Sequence, residues 1–233
     1  MGLPLLLEYY NELPEPRGEH SSSWEKRLRI ALEEFRNKVQ ARYSEGTLQR
    51  LAGSTDVRNR RAAILALGMI GSMKVSNAYV AARLHDEDAG ARQLASDALW
   101  SMWFRSDSEE NNLELQKVLE IRDRRKRRGR LDALIAKAPQ FAEALNQRAI
   151  LHFENEDWAM SISDCERVLK LNPFHFGAAA GMGRCYIKLR KNRAALKAFR
   201  TAIRVNPSLG DVEEAIRALE SALGEEGRRD DKK

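Results

Sequence analysis

Most of what chemistry at a protein site requires is scarce in this 233-residue chain. There are two cysteines, Cys165 and Cys185, each inside an apolar helical pattern and neither in a CxxC pair. They are expected as reduced core residues of a cytosolic protein, with a disulfide disfavoured. Four scattered histidines (His20, His85, His152, His175) and no HExxH leave a metal site little to build on. No run approaches the roughly 18 to 20 apolar residues that a bilayer span needs. Leu3-Pro4-Leu5-Leu6-Leu7 lacks a basic flank and stops at Glu8, so neither a membrane helix nor a signal peptide is expected. A P-loop, a GxSxG elbow, a Rossmann glycine pattern and a paired carboxylate motif are all missing. The expectation is a protein with no cofactor, no metal and no catalytic residues.

Charge excess is also missing from most of the chain. The formal net charge is +6, from 40 basic and 34 acidic residues. Residues 122–130 alone contain Arg122, Arg124, Arg125, Lys126, Arg127, Arg128 and Arg130 against Asp123, so that one run accounts for the whole excess and the rest balances. Seven cations in nine positions would point all round a helix, so no face of it can be buried. The expected placement is a turn and helix start broken by Gly129, contacting nucleic acid or acidic lipid if it binds anything, or otherwise simply solvated.

Proline numbers only six, yet Pro139, Pro173 and Pro207 are spaced 34 residues apart, each closing an apolar run. A fixed period marks stacked structural repeats, each too small to bury its own apolar face. A second period occupies the N-terminal half. Asp56, Arg60, Ala63 and Ala66-Leu67 return 32 residues later as Asp88, Arg92, Ala95 and Ala98-Leu99. An acidic residue there suits a helix start, where unpaired amides and the helix dipole favour negative charge, and the alanines permit close helix approach. Before it, residues 1–22 are broken by Pro4, Pro14, Pro16 and Gly18 and are expected as an irregular leader with at most one helical turn at Leu5 to Tyr10. A helix capped by Ser23 is predicted to follow to about Arg42, with a turn ending at Gly46 and a short helix beyond.

The first period, with Gly68-Met69-Ile70-Gly71 at its end, resembles short bacterial HEAT repeats of the kind found in bilin lyases, over residues 24–105. The second resembles the tetratricopeptide pattern: small residues at the close helix crossing (Ala149, Gly183), Tyr186 three further on, and small residues at Ser161 and Ala195. His152 and Cys165 depart from it where Tyr and an aromatic are usual. The resemblance implies an all-α fold, an α-solenoid of helical hairpins, HEAT-like at 23–105 and tetratricopeptide at 106–223 with a terminal capping helix, then a disordered charged tail at 224–233.

It also implies a non-enzymatic bacterial cytoplasmic scaffold holding a protein or peptide partner on its concave face, the first helix of each repeat supplying Asn146, Gln147, Ile150, Phe153, Arg184, Ile187 and Lys188. The alternative is a HEAT-like nucleic-acid binder using the basic run. Trp100, Trp103 and Phe104 form an aromatic cluster expected to pack in the core rather than to meet a partner. Trp103 with Asp107 resembles, in two residues only, HEAT-like DNA glycosylases.

Overall fold

The computed structural model describes residues 5–14 and 22–230, the last six of these by backbone alone. Among the described residues every α or 3-10 element is helical and none is a strand. In order they are α1 (Leu5–Asn11), α2 (Ser22–Arg42), α3 (Glu45–Leu51), α4 (Val57–Ile70), α5 (Met73–Ala82), a 3-10 turn (Arg83–His85), α6 (Ala89–Phe104), α7 (Glu109–Leu119), α8 (Arg124–Lys137), α9 (Ala142–Glu154), α10 (Trp158–Leu171), α11 (Phe176–Lys188), α12 (Asn192–Val205) and α13 (Gly210–Asp230). None is long and apolar enough to cross a membrane. The chain divides into two compact units, residues 1–102 and 103–233, the division falling near the end of α6.

In the N-terminal unit the 32-residue period is realised as repeated hydrogen bonds. Asp56 caps α4 by accepting from the Arg58 and Asn59 amides, and Asp88 accepts from the Ala91 amide at the start of α6. One guanidinium nitrogen of Arg60 donates to the carbonyls of Ser54 and Thr55, both at 3.1 Å. One of Arg92 donates to those of Asp86 and Glu87, at 2.8 and 3.0 Å. Each arginine thus reaches five and six residues back and satisfies carbonyls ahead of its own helix. Close packing explains the small residues: a Cβ on Gly68 would lie 2.7 Å from Ala98 Cβ, so α4 and α6 touch nearly backbone to backbone.

Three local expectations are corrected here. The leader holds a true helix, α1, because Leu6 and Leu7 are fully buried in the unit's core with Tyr9 beside them. Removing each leucine from water is worth about 1.5–3 kcal/mol, and this tertiary burial sustains a seven-residue helix too short to be stable alone. The break expected at Pro16 and Gly18 lies outside the described residues. Ser23 falls inside the first turn of α2, which begins at Ser22. Gly46 lies inside α3, whose cap is Ser44, accepting from the Thr47 amide at 3.3 Å.

The C-terminal unit is three hairpins, α7/α8, α9/α10 and α11/α12, followed by α13. Here the 34-residue period repeats as backbone geometry. Asn172 and Asn206 each end a helix and accept from the amide two residues on, at 3.2 and 3.0 Å, just around Pro173 and Pro207. Glu156 and Arg190, also 34 apart, both take left-handed backbone with φ of 62° and 57° in the turn joining a hairpin's helices. At the crossing of α11 and α12 a Cβ on Gly183 would stand 2.5 Å from the Phe199 ring. Ser161 Oγ donates to the Ala149 carbonyl at 2.8 Å at the equivalent crossing one repeat earlier. A helix continues to Asp230, past the Gly224 where the charged tail was expected to lose order; residues 231–233 lie outside the described residues.

Trp103 is fully buried in this unit, stacked on His175 with ring centroids 4.2 Å apart and tilted against Phe176. Trp100 and Phe104 are half-buried. Asp107 accepts from the Asn111 side chain and the Ser108 amide at the start of α7. Trp103 therefore serves packing, and Asp107 a helix start.

Both cysteines are free and buried. Cys185 Sγ donates to Ser161 Oγ at 3.2 Å. Burial, then the Cys185 thiol and Asp164, push the Cys165 thiol up to about 12, so almost no thiolate forms near neutrality. In native buffer a thiol-reactive chromogenic disulfide should titrate neither cysteine within an hour, and both after unfolding. Rapid labelling of Cys165 in the native state would contradict the packing described.

Candidate functional site

The first helices of the last two hairpins and the terminal helix enclose a groove of about 490 Å³. Its floor is Phe199 of α12 with Val212 and Leu219 of α13, all buried. Phe153 and Ile187 form one wall, and Ala215, Ala218 and Ala222 the other. Val212, Ala215, Leu219 and Ala222 recur at helical spacing, so α13 turns one apolar stripe to the groove, with Asp211 at its edge. Phe153 is held edge-on by Trp158, ring centroids 4.9 Å apart.

Polar groups edge this apolar trough. Arg184 donates to Asp211 Oδ2 at 2.6 Å, tying α11 to α13 across the mouth. Lys188 lines the groove, is exposed, and has no side-chain partner among the described residues. Asn192 adds an amide at the start of α12. The chemistry on offer is an apolar slot with one unneutralised ammonium at its rim.

Four residues expected on the binding face, Phe153, Arg184, Ile187 and Lys188, meet in this groove. Ile150 is exposed, 44%, but does not line it. Asn146 and Gln147 are placed elsewhere: both donate to Glu143 Oε1, at 3.1 and 2.7 Å, and Asn146 is buried. Helix α9 turns them toward a wholly buried carboxyl, whose second oxygen lies 3.1 Å from His175 Nε2. Sequence reasoning missed the contributions of Asn192, Phe199, Asp211 and the α13 stripe. The signal was the apolar spacing of α13, visible as a helix but read only as a cap.

The basic run forms the first half of α8 and the residue pair before it, with Asp123 as cap accepting from the Lys126 amide at 2.8 Å. Gly129 lies inside the helix and does not break it. Acids of the next hairpin engage part of the run: Arg124 lies 3.6 Å from Glu154 and Arg128 3.8 Å from Asp157. Arg127 donates to the Ile121 carbonyl, and Arg130 pairs with Glu114. Arg122, Arg125 and Lys126 are exposed and without a side-chain partner among the described residues.

These features define an all-helical repeat protein. The tetratricopeptide repeat family model matches residues 178–209, which is the α11/α12 hairpin and its approach to α13. A TPR repeat-containing protein of Rhizobium etli is 34% identical over 93 residues, 40% of this chain and 46% of that relative, so the chain aligns with under half of the relative's length. Among solved structures, the first TPR of Spaghetti (RPAP3) bound to the HSP90 peptide SRMEEVD superposes at a TM-score of 0.48 with 19% identity, covering 51% of this chain and 96% of that one.

Proposed function

We propose that the protein is a non-enzymatic scaffold that holds a segment of a partner protein in the groove between α9, α11, α12 and α13. The observation that carries this is the trough itself: Phe153, Ile187, Val212 and Leu219 around about 490 Å³, with Lys188 unpaired at the rim. Burying one large apolar side chain there is worth about 1.5–3 kcal/mol, which with backbone and charge contacts suits a reversible peptide or helix complex. An acidic residue beside the apolar anchor would meet Lys188. The HEAT-like reading of the N-terminal hairpins rests on the repeated Asp and Arg bonds and extends the scaffold without adding a groove residue.

The test is affinity capture from the native organism with wild type and with Phe153→Glu/Arg184→Glu, both checked by thermal melting. Loss of specific partners from the variant is expected, with captured segments that contain an apolar residue next to an acid. An unchanged set of partners would remove the groove from the proposal.

A further inference from the structure

One edge of the C-terminal unit carries charge that the groove does not use. Glu143 at the start of α9 touches His175 at the start of α11, so those helices begin on one edge and end, at Glu154 and Lys188, on the opposite one. That opposite edge is built from three hairpin turns, near residues 120–123, 155–157 and 189–191. The middle turn is acidic, with Glu154, Glu156 and Asp157, and two of its acids face Arg124 and Arg128 of the first turn. Glu156 is left as one exposed carboxylate.

The outer turns are both cationic after that neutralisation. Arg122, Arg125 and Lys126 remain at the first turn, outnumbering its exposed acids Glu120 and Asp123, the latter engaged as the α8 cap. Arg190, Lys191 and Arg193 stand at the third, lining a shallow cleft with Asn192, Ala194 and Leu223. All six are exposed and none has a side-chain partner among the described residues. Arg125 and Lys126 lie in the first turn of α8 and Arg122 just before its cap, with Gly129 one turn further along the side of Arg125 and Lys126. A Cβ at Gly129 would meet nothing within 4 Å, so that side is open to an approaching backbone. Neighbouring helices pack about 8–10 Å apart, which puts the two clusters roughly 20 Å from one another.

We propose that this edge binds the phosphate backbone of double-stranded nucleic acid. Six free cations in two clusters exceed what a single phosphate or carboxylate can engage, and a separation of roughly 20 Å spans about six steps of a duplex, whose strands each carry a phosphate every 3.4 Å. Four of the six are arginines, whose guanidinium forks fit phosphate oxygens in pairs. The two cationic turns present no exposed aromatic ring to stack on an unpaired base and no exposed large apolar side chain to enter a bilayer. Backbone contact without sequence readout follows from that surface. None of the six cations lines the groove, which borders the third turn at Asn192, so a partner protein and a nucleic acid can be held at once.

The experiment uses the full chain and a fluorescent 20-base-pair duplex of arbitrary sequence, titrated from 50 to 200 mM salt. Six phosphate contacts predict a slope of log K against log salt near −5, a loss of about 10³-fold over that range. Arg122→Ser/Arg125→Ser/Lys126→Ser should flatten the slope by about 3, leaving a loss of about 40-fold. Arg190→Asn/Lys191→Ser/Arg193→Ser should do the same, asparagine being chosen because it tolerates the left-handed backbone at 190. Circular dichroism establishes that both variants fold, and Phe153→Glu/Arg184→Glu should bind the duplex like wild type. No duplex binding at 50 mM salt, or slopes unchanged in both triple variants, would overturn the proposal. So would binding to phosphatidylserine vesicles, or to an acidic polypeptide, without binding to the duplex.

Discussion

Glu143→Ala is expected to lower the stability of the C-terminal unit by about 3–5 kcal/mol, the scale of breaking a buried, hydrogen-bonded polar group. Its carboxyl is wholly buried and accepts from the Asn146 and Gln147 side chains, with His175 Nε2 at 3.1 Å. His175 Nδ1 accepts from the Ala178 amide at 3.1 Å, so the ring proton sits on Nε2 and points at Glu143. Removing the carboxyl strands three donors, two of them on wholly or almost wholly buried residues. It also frees the ring on which Trp103 stacks. Glu143→Gln keeps an acceptor and the shape and should cost about 1–2 kcal/mol. Denaturant-dependent hydrogen exchange of the α9 and α11 amides measures both. A loss under 1 kcal/mol for the alanine variant would show that the cluster does not hold the repeats together.

The second large effect lies in the N-terminal unit, where two arginines in the same repeat position differ in one respect. Arg60 makes the paired carbonyl bonds that Arg92 also makes, and in addition engages carboxylates: it grips Asp86 with two nitrogens at 2.9 and 2.8 Å and reaches the exposed Glu87 at 3.2 Å. The Asp86 side chain is only 3% exposed, so Arg60→Ala strips a buried carboxylate of both hydrogen bonds from its cation and leaves only Arg83, at 3.9 Å, beside it. We expect about 3–5 kcal/mol for Arg60→Ala and about 1 kcal/mol for Arg92→Ala, read from urea unfolding of the same unit. Equal losses would mean that the carbonyl bonds, and not the ion pair, dominate. The neighbouring Asp88, hydrogen-bonded by Arg61, is held at about 2, below an ordinary carboxyl near 3.8. Its contribution is therefore complete above the ordinary value and fades as pH falls from about 4 through 2.

Both periods were legible in the sequence because each recurring residue type solves one recurring problem. Proline stops a helix, asparagine turns the chain before it, aspartate caps, and small residues sit where helices cross. The α1 helix was hidden by prolines around it; its order comes from tertiary burial of Leu6 and Leu7, which no local pattern reports. Gly129 looked like a break, but a single glycine costs a helix only about 1 kcal/mol, within what packing of Leu131 and Leu134 supplies. In the groove, helix spacing located Phe153, Arg184, Ile187 and Lys188. It could not show that Asn146 and Gln147 turn away from this groove, because the buried carboxyl that orients them belongs to a residue one turn earlier that looks like an ordinary surface acid.

The left-handed residues in the hairpin turns separate two properties that most sites combine. Glu156 and Arg190 share a backbone conformation and differ in sign of charge. What the fold demands there is a dihedral angle, and the side chain is left to solvent. Charge along that edge can therefore be rewritten one turn at a time with the stacking of the hairpins held constant. An acidic, neutral or basic rim becomes a matter of a few exposed codons, and the scaffold can acquire or lose a polyanion without touching the groove that faces its partner.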